Sequence, residues 1–292
     1  MPASKADTIP VRPGKRVKAR GSLLVVLAPA ALLVVVLYGI AESWSVRQEE
    51  IEIPLRGLPL AAQGLKLIQV SDLHSRPGLW ESREVARLLS GMSASLLVIT
   101  GDFKQAGGSP DLAVEGGSVV VDAVKGRMPV YAVTGNHDSA VIMERLSQRG
   151  ISVLENRSYQ VLPGLWFAGW DPYKKRHPSL EEVFRPVPPG DCIIVLSHSP
   201  DVVFEKGVGR AGLILAGHTH GGQIRLPGLR PFTTLTRLGT RFASGLFPWG
   251  DGFLYINRGI GTTMVPLRMY AAPEITRVTL RTAPASLENS LN

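Results

Sequence analysis

The chain has 292 residues, of which 45% are hydrophobic and 19% charged, a balance that supports a sizeable core and excludes wholesale disorder. Its single cysteine, Cys192, excludes an internal disulfide framework, and its apolar surroundings in sequence predict a small buried side chain. The net charge of +8 permits a nucleic-acid partner, but much of the excess lies in residues 1–20. The length allows one large domain or two small ones.

The N-terminal region combines a basic tail at 1–20 with a run at 21–40 that contains no charged residue. A helix of that length reaches roughly 30 Å, the thickness of a bilayer's hydrocarbon core. We therefore predict a transmembrane anchor at 21–41, with the basic flank in the cytoplasm and the rest of the chain outside. A cleaved signal peptide is the alternative, although its apolar region is usually shorter, about 7–15 residues. A buried core helix is a third alternative, which is disfavoured because the composition of 1–20 is typical of a solvated tail.

After a linker or first strand at 42–63, apolar runs alternate with helical patterns in a domain that we place at 64–281, followed by a tail at 282–292. This alternation predicts βαβ units and a largely parallel sheet. The predicted strands of this part are 65–70, 96–99 and 130–133, and the predicted helices are 81–92, 112–124 and 141–149. Short β-like pieces at 152–154, 159–162 and 165–169 predict a second sheet, and strand-like runs follow at 192–196, 213–216, 253–257 and 275–280. The fold class is therefore α/β, with two packed sheets and helices outside.

Five short polar motifs each follow one of these apolar runs directly. They are SDLH at 71–74, TGD at 100–102, GNHD at 135–138, SHS at 197–199 and GHTHG at 217–221. Because ligands gather beyond the carboxyl ends of parallel strands, we expect the motifs to converge. In the first motif, Asp72 and His74 can point the same way while Leu73 turns toward the core.

The side chains that the motifs supply are carboxylates, imidazoles and an amide, which together predict a metal-dependent phosphoesterase. Two divalent ions about 3.5–4 Å apart need a bridging carboxylate and several nitrogen or oxygen ligands each. Such a mixture suits Mn²⁺, Fe²⁺ or Zn²⁺ better than an all-oxygen cage would. Any one histidine at a strand end has an ordinary structural explanation, but five of the six lie in the motifs, and only His177 lies outside them.

The ordered motifs resemble those of the calcineurin-like metallophosphoesterase superfamily over roughly residues 64–280. Within it, the chain is similar to membrane-linked bacterial phosphodiesterases of the YkuE and YaeI type and to UDP-2,3-diacylglucosamine pyrophosphatases. The supporting segments are GHTHGGQI at 217–224, NRGIG at 257–261 and PEI at 273–275. The resemblance implies an αββα sandwich of two mixed sheets flanked by helices, here preceded by the transmembrane helix.

The resemblance also implies seven metal ligands and two divalent ions, with Mn²⁺ the first expectation and Fe²⁺, Zn²⁺ or Mg²⁺ as alternatives. The ligands of the first ion would be Asp72, His74 and His220. The ligands of the second would be Asn136, His198 and His218. Asp102 would bridge the two ions.

Two further residues would complete the catalytic group, again by resemblance. His137 would stabilise or protonate the leaving oxygen, and Asp138 would orient its imidazole, as in general acid catalysis. The nucleophile would be a metal-bridging hydroxide. Many members of the superfamily carry a further acid shortly after the Gly-Asp pair, whereas this chain continues with Phe103, Lys104 and Gln105. That departure leaves the expected ligands intact and affects substrate contacts in the loop.

These features predict an enzyme of the bacterial inner membrane, anchored by a single span, that hydrolyses a phosphodiester or pyrophosphate bond. Its substrate would be a phosphorylated small molecule or lipid, such as UDP-2,3-diacylglucosamine in lipid A synthesis. That substrate lies on the cytoplasmic side, whereas the basic flank places the domain outside, so sidedness stays open. A general phosphodiesterase or phosphatase and a nuclease are alternatives, with nucleic acid disfavoured by the anchor. A non-catalytic scaffold is disfavoured because His137 and all seven ligand positions are present.

One further segment, 223–250, contains four arginines, many apolar residues and no acidic residue. Because it directly follows the last motif, we expect it beside the metals. A basic and apolar segment can lie at a bilayer surface. An ordinary loop that caps the second sheet is the equal alternative.

Overall fold

The computed structural model describes residues 21–174 and 177–284, with side chains of the first helix from residue 27 onward. The predicted tail at 1–20 and the end of the predicted tail at 282–292 lie outside the described residues. The described residues divide into two compact units, with the boundary between Leu37 and Tyr38. Across the ranges described, none of the helices combines the length and the apolar character that crossing a bilayer demands. The anchor at 21–41 therefore stays a prediction.

The described elements follow the predicted alternation closely. The strands are β1 Arg47–Leu55, β2 Lys66–Val70, β3 Leu96–Ile99, β4 Val130–Ala132, β5 Ile151–Val153, β6 Arg157–Leu162, β7 Leu165–Trp170, β8 Cys192–Ser197, β9 Leu213–Ala216, β10 Gly245–Trp249, β11 Gly252–Ile256 and β12 Glu274–Thr282. The α-helices are α1 Gly21–Ser43, α2 Trp80–Gly91, α3 Pro110–Val124, α4 Ala140–Ser147 and α5 Leu180–Val183. Short 3₁₀ turns cover Leu60–Ala62, Pro200–Phe204, Val208–Arg210, His220–Gly222 and Thr240–Phe242.

Two mixed six-stranded sheets form the domain. The first has the order β1-β12-β2-β3-β4-β5, in which β2 to β5 are parallel and β12 runs antiparallel to β2. The second has the order β10-β11-β9-β8-β7-β6, in which β11, β9, β8 and β7 are parallel and the two edge strands antiparallel. The predicted α/β class with two sheets is confirmed.

The core lies in three layers because successive residues of a strand face opposite sides of the sheet. In β2, Leu67 packs between the two sheets while Ile68 packs against the helices outside the first sheet. In β8, Ile194 and Leu196 face the first sheet, and Ile193 and Val195 face the outer layer. Helices α2, α3 and α4 contribute to the layer outside the first sheet, and α5 to the layer outside the second. This is the helix–sheet–sheet–helix arrangement that the sequence predicts.

One strand assignment to the second sheet is wrong, and the run at 275–280, to which the sequence assigns no sheet, lies in the first. The segment predicted at 152–154 is β5, which pairs with β4 at the edge of the first sheet, because α4 completes one more parallel crossover. The run at 275–280 is β12, which lies in the first sheet between β1 and β2. Alternation of apolar residues predicts a strand but does not specify its partner.

Candidate metal centre

The five motifs meet because the loops after neighbouring strands are hydrogen-bonded to one another. The backbone N–H of Asp72 donates to the carbonyl of Gly101 over 3.0 Å, and that of His74 donates to the carbonyl of Asp102 over 2.9 Å. In the second sheet, Gly217 N donates to the carbonyl of His198 over 2.9 Å, and between the sheets His218 N donates to Asp72 Oδ2 over 3.1 Å. The predicted convergence beyond the strand ends is therefore what the structure contains.

Five of the seven predicted ligands have a backbone that L-amino acids rarely adopt. Their φ angles are 53° at Asp72, 44° at His74, 55° at Asp102, 70° at His218 and 51° at His220. Positive φ is uncommon outside glycine, and such residues concentrate at functional sites, where the surrounding structure holds them in place. These five lie in the turns that aim the polar side chains inward, and six other non-glycine residues of the described chain also have positive φ.

One group of potential ligands joins Asp72, His74 and His220, all buried, with one ligand atom from each within 4.8 Å of the others. The two Nε2 atoms of His74 and His220 are 3.2 Å apart, and His220 Nε2 lies 3.2 Å from Asp72 Oδ1. Asp102, His198 and Asp72 form a second group of the same kind. Asp102 Oδ2 lies 3.5 Å from His74 Nε2 and 3.3 Å from His198 Nε2, so it stands between the groups.

The remaining predicted residues lie at the same place. Asn136 Oδ1 is 3.0 Å and His218 Nδ1 is 3.1 Å from His198 Nε2. The backbone N–H of His137 donates to Asp102 Oδ1 over 2.9 Å, and its Nε2 is 4.0 Å from Asp102 Oδ2. The His137 side chain is 30% exposed, whereas that of His198 is fully buried. All seven expected ligands and His137 therefore share one site.

The donor atoms fit divalent metal ions. Backbone carbonyls of Lys104 and Thr100 lie 3.0 Å and 2.8 Å from the Nδ1 atoms of His74 and His198, so these nitrogens carry the hydrogen and the Nε2 atoms face the site. The buried Oδ1 of Asp72 accepts no hydrogen bond from the described residues. Ring nitrogens that face each other beside an orphaned carboxylate oxygen are satisfied by a cation.

The protonation of the cluster agrees with that fit. Burial, together with the neighbouring His220, lowers the pKa of His74 to about 3, and burial beside His198 lowers the pKa of His218 to about 4. Both rings are therefore neutral, which is the form that coordinates metals. For His198, burial acts in the opposite direction, but the Asp102 carboxylate outweighs it and raises the pKa to about 10. A cation in the site would replace the proton that the Asp102 carboxylate stabilises on His198.

Glycine is required where the loops touch. A Cβ on Gly135 would lie 2.1 Å from Asp102 Oδ1, and one on Gly217 would lie 1.9 Å from Ser71 Oγ. No side chain fits at those distances, so the glycines of two motifs permit the close approach of backbone to ligand.

Asp138 has a different environment from the one expected. Its Oδ1 accepts from the backbone N–H of Lys104 over 3.1 Å, and its Oδ2 accepts from that of Gly135 over 3.0 Å. Its carboxylate therefore fastens the 135–138 loop to the loop after β3, whereas the expected partner was the imidazole of His137. Burial, with Asp102 nearby, raises the pKa of Asp138 to about 7.

One residue of the site was missed by the sequence analysis. Arg268 is fully buried, and its guanidinium donates to five backbone carbonyls. The acceptors are the carbonyl oxygens of His220, Arg258, Gly259, Gly261 and Ala271. Burial lowers the pKa of Arg268 to about 10, which leaves it a cation at neutral pH. No motif marks it, and a lone arginine in a sequence reads as exposed.

Arg258 and Tyr173 complete the surroundings. The guanidinium of Arg258 pairs with Glu274 and with Glu49. The ring of Tyr173 lies 6.2 Å from that of His198, edge to face. The backbone N–H of Tyr173 donates to Oδ1 of Asp171, two residues earlier, over 2.8 Å.

Comparison with known proteins agrees with this geometry. The family model for Calcineurin-like phosphoesterase matches residues 65–222, which is more than half of the chain and contains all five motifs. The chain belongs to this family. It is therefore a metallophosphoesterase, a hydrolase whose Asp and His groups are suited to a binuclear metal site.

Three relatives illustrate its neighbourhood within the family. "Uncharacterized metallophosphoesterase YkuE" of Bacillus subtilis is 31% identical over 241 residues, which cover 77% of this chain and 82% of that protein. "Transmembrane protein with metallophosphoesterase domain" of Danio rerio is 28% identical and matches 90% of this chain but 63% of its own length. "UDP-2,3-diacylglucosamine pyrophosphatase LpxG" of Chlamydia muridarum is 25% identical over 73% of this chain and 82% of that protein. The resemblance inferred from the motifs is confirmed.

Proposed function

We propose that this phosphoesterase is anchored in the membrane and hydrolyses a phosphodiester or pyrophosphate bond in a lipid-linked substrate, with two metal ions as cofactors. The observation that carries the catalytic part is the position of Asp102, which lies between two groups of potential ligands with a partly exposed histidine, His137, beside it.

We assign the metal ligands to two groups that share Asp102. Asp72, His74 and His220 hold one ion, and Asn136, His198 and His218 hold the other. Mn²⁺ is the first candidate, with Fe²⁺, Zn²⁺ and Mg²⁺ as alternatives. When bound, such ions polarise phosphoryl oxygens and lower the pKa of coordinated water.

We assign to His137 the transfer of a proton to the leaving oxygen. Its side chain is 30% exposed, so a substrate can reach it. Its backbone N–H is bound to Asp102, which fixes the position of the ring relative to the metal ligands. Asp138 acts indirectly: its carboxylate holds the 135–138 loop in place by accepting hydrogen bonds from the N–H groups of Gly135 and Lys104. General acid catalysis by a positioned imidazole contributes typically about 10²–10⁴-fold.

The membrane part rests on the sequence and on the names of relatives. The uncharged run at 21–40 and the basic residues before it favour a single span with the N-terminus in the cytoplasm. One relative is called a transmembrane protein, and another is called a UDP-2,3-diacylglucosamine pyrophosphatase. A lipid-linked pyrophosphate such as UDP-2,3-diacylglucosamine is therefore the substrate to test first, with simple phosphodiesters as the alternative.

The decisive experiment measures metal content and hydrolysis on the same purified full-length protein. We expect two bound ions per chain by elemental analysis and cleavage of UDP-2,3-diacylglucosamine or of bis(p-nitrophenyl) phosphate. We expect His137→Gln to lower kcat by about 10²–10⁴-fold while the metal content stays unchanged. His177→Gln is the matched control, because His177 is exposed and outside the motifs. If the metal-loaded protein cleaves neither substrate, the proposed activity is wrong. If His137→Gln is as active as the parent, only the acid role is wrong.

A further inference from the structure

We infer that the domain has a second contact with the membrane: a surface formed by 224–237 and 262–270, which we call the apolar–arginine face, rests on an anionic lipid bilayer beside the metal centre. This inference rests on the proposed anchor for its orientation, but its evidence is separate and comes from side chains that the catalytic site does not use.

The first observation is an unusual exposure of large apolar side chains. Met264 is 96% exposed, Phe232 80% and Leu235 79%. Further exposed apolar or aromatic residues of the same two segments are Leu226, Leu229, Val265 and Tyr270. Scattered exposed apolar residues are ordinary, but a contiguous group of them marks a surface that contacts a partner or a membrane.

The two segments form one surface because Gln223 and its neighbours join them. The side-chain amide of Gln223 donates to the carbonyls of Thr263 and Val265 over 2.8 Å and 3.1 Å, and its oxygen accepts the Thr263 N–H over 2.8 Å. The N–H of Arg225 donates to the carbonyl of Met269 over 2.9 Å. The exposed side chains therefore lie on loops that are held together at their base.

The charge of the face selects the chemistry of the partner. The 224–237 part of the face contains Arg225, Arg230 and Arg237, and neither of its two segments contains an acidic residue. None of these arginines forms an ion pair with an acidic side chain in the described part of the chain. Cations interspersed with exposed apolar groups match a bilayer surface, where the arginines meet lipid phosphates and the apolar groups enter the acyl region.

Residues 38–42, which belong to the same compact unit as the face, contact it directly. Gly39, two residues before the predicted end of the anchor, accepts the N–H of Arg268 over 2.9 Å. Glu42 Oε2 accepts the N–H of Tyr270 over 2.7 Å, and the ring of Tyr38 lies 5.8 Å from that of Tyr270. The proposed anchor at 21–41 would end among these residues, next in sequence to those that contact the 262–270 segment. This continuity is why we commit to a lipid surface as the occupant.

The face also adjoins the catalytic site. His220 belongs to the turn that leads directly into Gln223, whose N–H donates to the His220 carbonyl over 3.0 Å. A bilayer at this face is therefore close to the candidate metal ligands, since only a few residues of chain separate the face from His220. Such a position suits a substrate whose lipid part stays in the membrane while its phosphate reaches the site.

The test uses the full chain reconstituted into vesicles and labelled at single introduced cysteines with an environment-sensitive fluorophore. Leu235→Cys reports on the face. Leu60→Cys is the matched control, because Leu60 is 86% exposed and precedes β2, at the end of the parallel strands away from the metal centre. The native Cys192 is buried and does not compete for the label.

We expect the label at 235 to shift to shorter wavelength in vesicles that contain phosphatidylglycerol, and the label at 60 to stay unchanged. We expect the shift to weaken in pure phosphatidylcholine and after Arg230→Gln, because the anionic attraction is lost. Hydrolysis of bis(p-nitrophenyl) phosphate, measured on the same samples, reports on the proposed activity independently.

The outcomes separate the two proposals. If the protein floats with vesicles but the label at 235 does not shift, the face is wrong and the anchor stands. If the protein does not float with vesicles at all, both the anchor and the face are wrong. Equal shifts at 235 and 60 also contradict the inference. A shift that appears without vesicles and grows with protein concentration indicates that a second copy covers the face, and this overturns the bilayer as its occupant.

Discussion

The motif loops and the apolar–arginine face are neighbours at one end of the domain, and they invert the usual rule of burial in opposite ways. The motif loops bury charged and polar groups, with Asp72, His74 and His198 at 0% exposure. The face leaves Phe232 and Met264 in solvent. Neither arrangement stabilises the fold by itself. Buried polar groups cost free energy unless they have partners, and apolar surface left in water contributes no hydrophobic stabilisation. Both regions are therefore explained by something that binds to them.

The sharpest test of the first region is Asp102→Ala, because this carboxylate lies between both ligand groups. We expect loss of bound metal and a fall in kcat/KM of at least about 10³-fold, since groups that act as one unit fail together. Elemental analysis and steady-state kinetics measure these effects. Asp251→Ala, which removes an exposed aspartate, is the control and should change neither. An Asp102→Ala protein that keeps both ions would contradict the bridging role.

The contrast in burial predicts a contrast in stability. Leu196→Ala removes a fully buried side chain between the sheets and should lower the free energy of unfolding by about 2–5 kcal/mol. Leu235→Ala, on the face, should change it by no more than about 0.5 kcal/mol. Urea denaturation followed by circular dichroism measures both. A large destabilisation by Leu235→Ala would show that the face serves the fold.

Arg268 lies between the two regions and hydrogen-bonds His220 to the 257–261 loop. Arg268→Met leaves five carbonyls without their donor and should weaken metal affinity by about 10–100-fold, as loss of a supporting group typically does. Competition with a metal indicator dye measures the affinity. Arg87→Met, at an exposed arginine, is the matched control. Unchanged affinity in a folded Arg268→Met protein would reduce Arg268 to a purely structural residue.

The smallest expected effect concerns Cys192. Burial, with Asp191 nearby, raises the pKa of its thiol to about 12, so the reactive thiolate is scarce at neutral and mildly alkaline pH. We expect no reaction with a thiol-specific dye at pH 8 until the protein is unfolded, whereas Leu60→Cys should react at once. Fast labelling of the native parent would show that the second sheet opens readily.

Much of the fold and of the site could be predicted because their signals are local. An apolar run followed by a polar motif marks β3 and β9 to the residue, and the resemblance of those motifs to the family's implies the seven expected ligands. Sheet membership of β5 and β12 could not be predicted, because alternation does not encode a strand's partner.

Contacts made over long sequence distances could not be predicted either. Arg268 reaches His220 across 48 positions, and Asp138 reaches Lys104 across 34, and neither pair carries a pattern that connects them. Such contacts depend on how loops from different strands meet, which only the assembled fold determines.

Arg268 also connects the end of α1 to the candidate metal centre through hydrogen bonds. Its backbone N–H is bound to Gly39, and its side chain is bound to the carbonyl of His220. One residue thus separates the last turn of α1 from a candidate metal ligand. The hydrogen bonds of Arg268 therefore connect the end of α1 to the loop that carries His220.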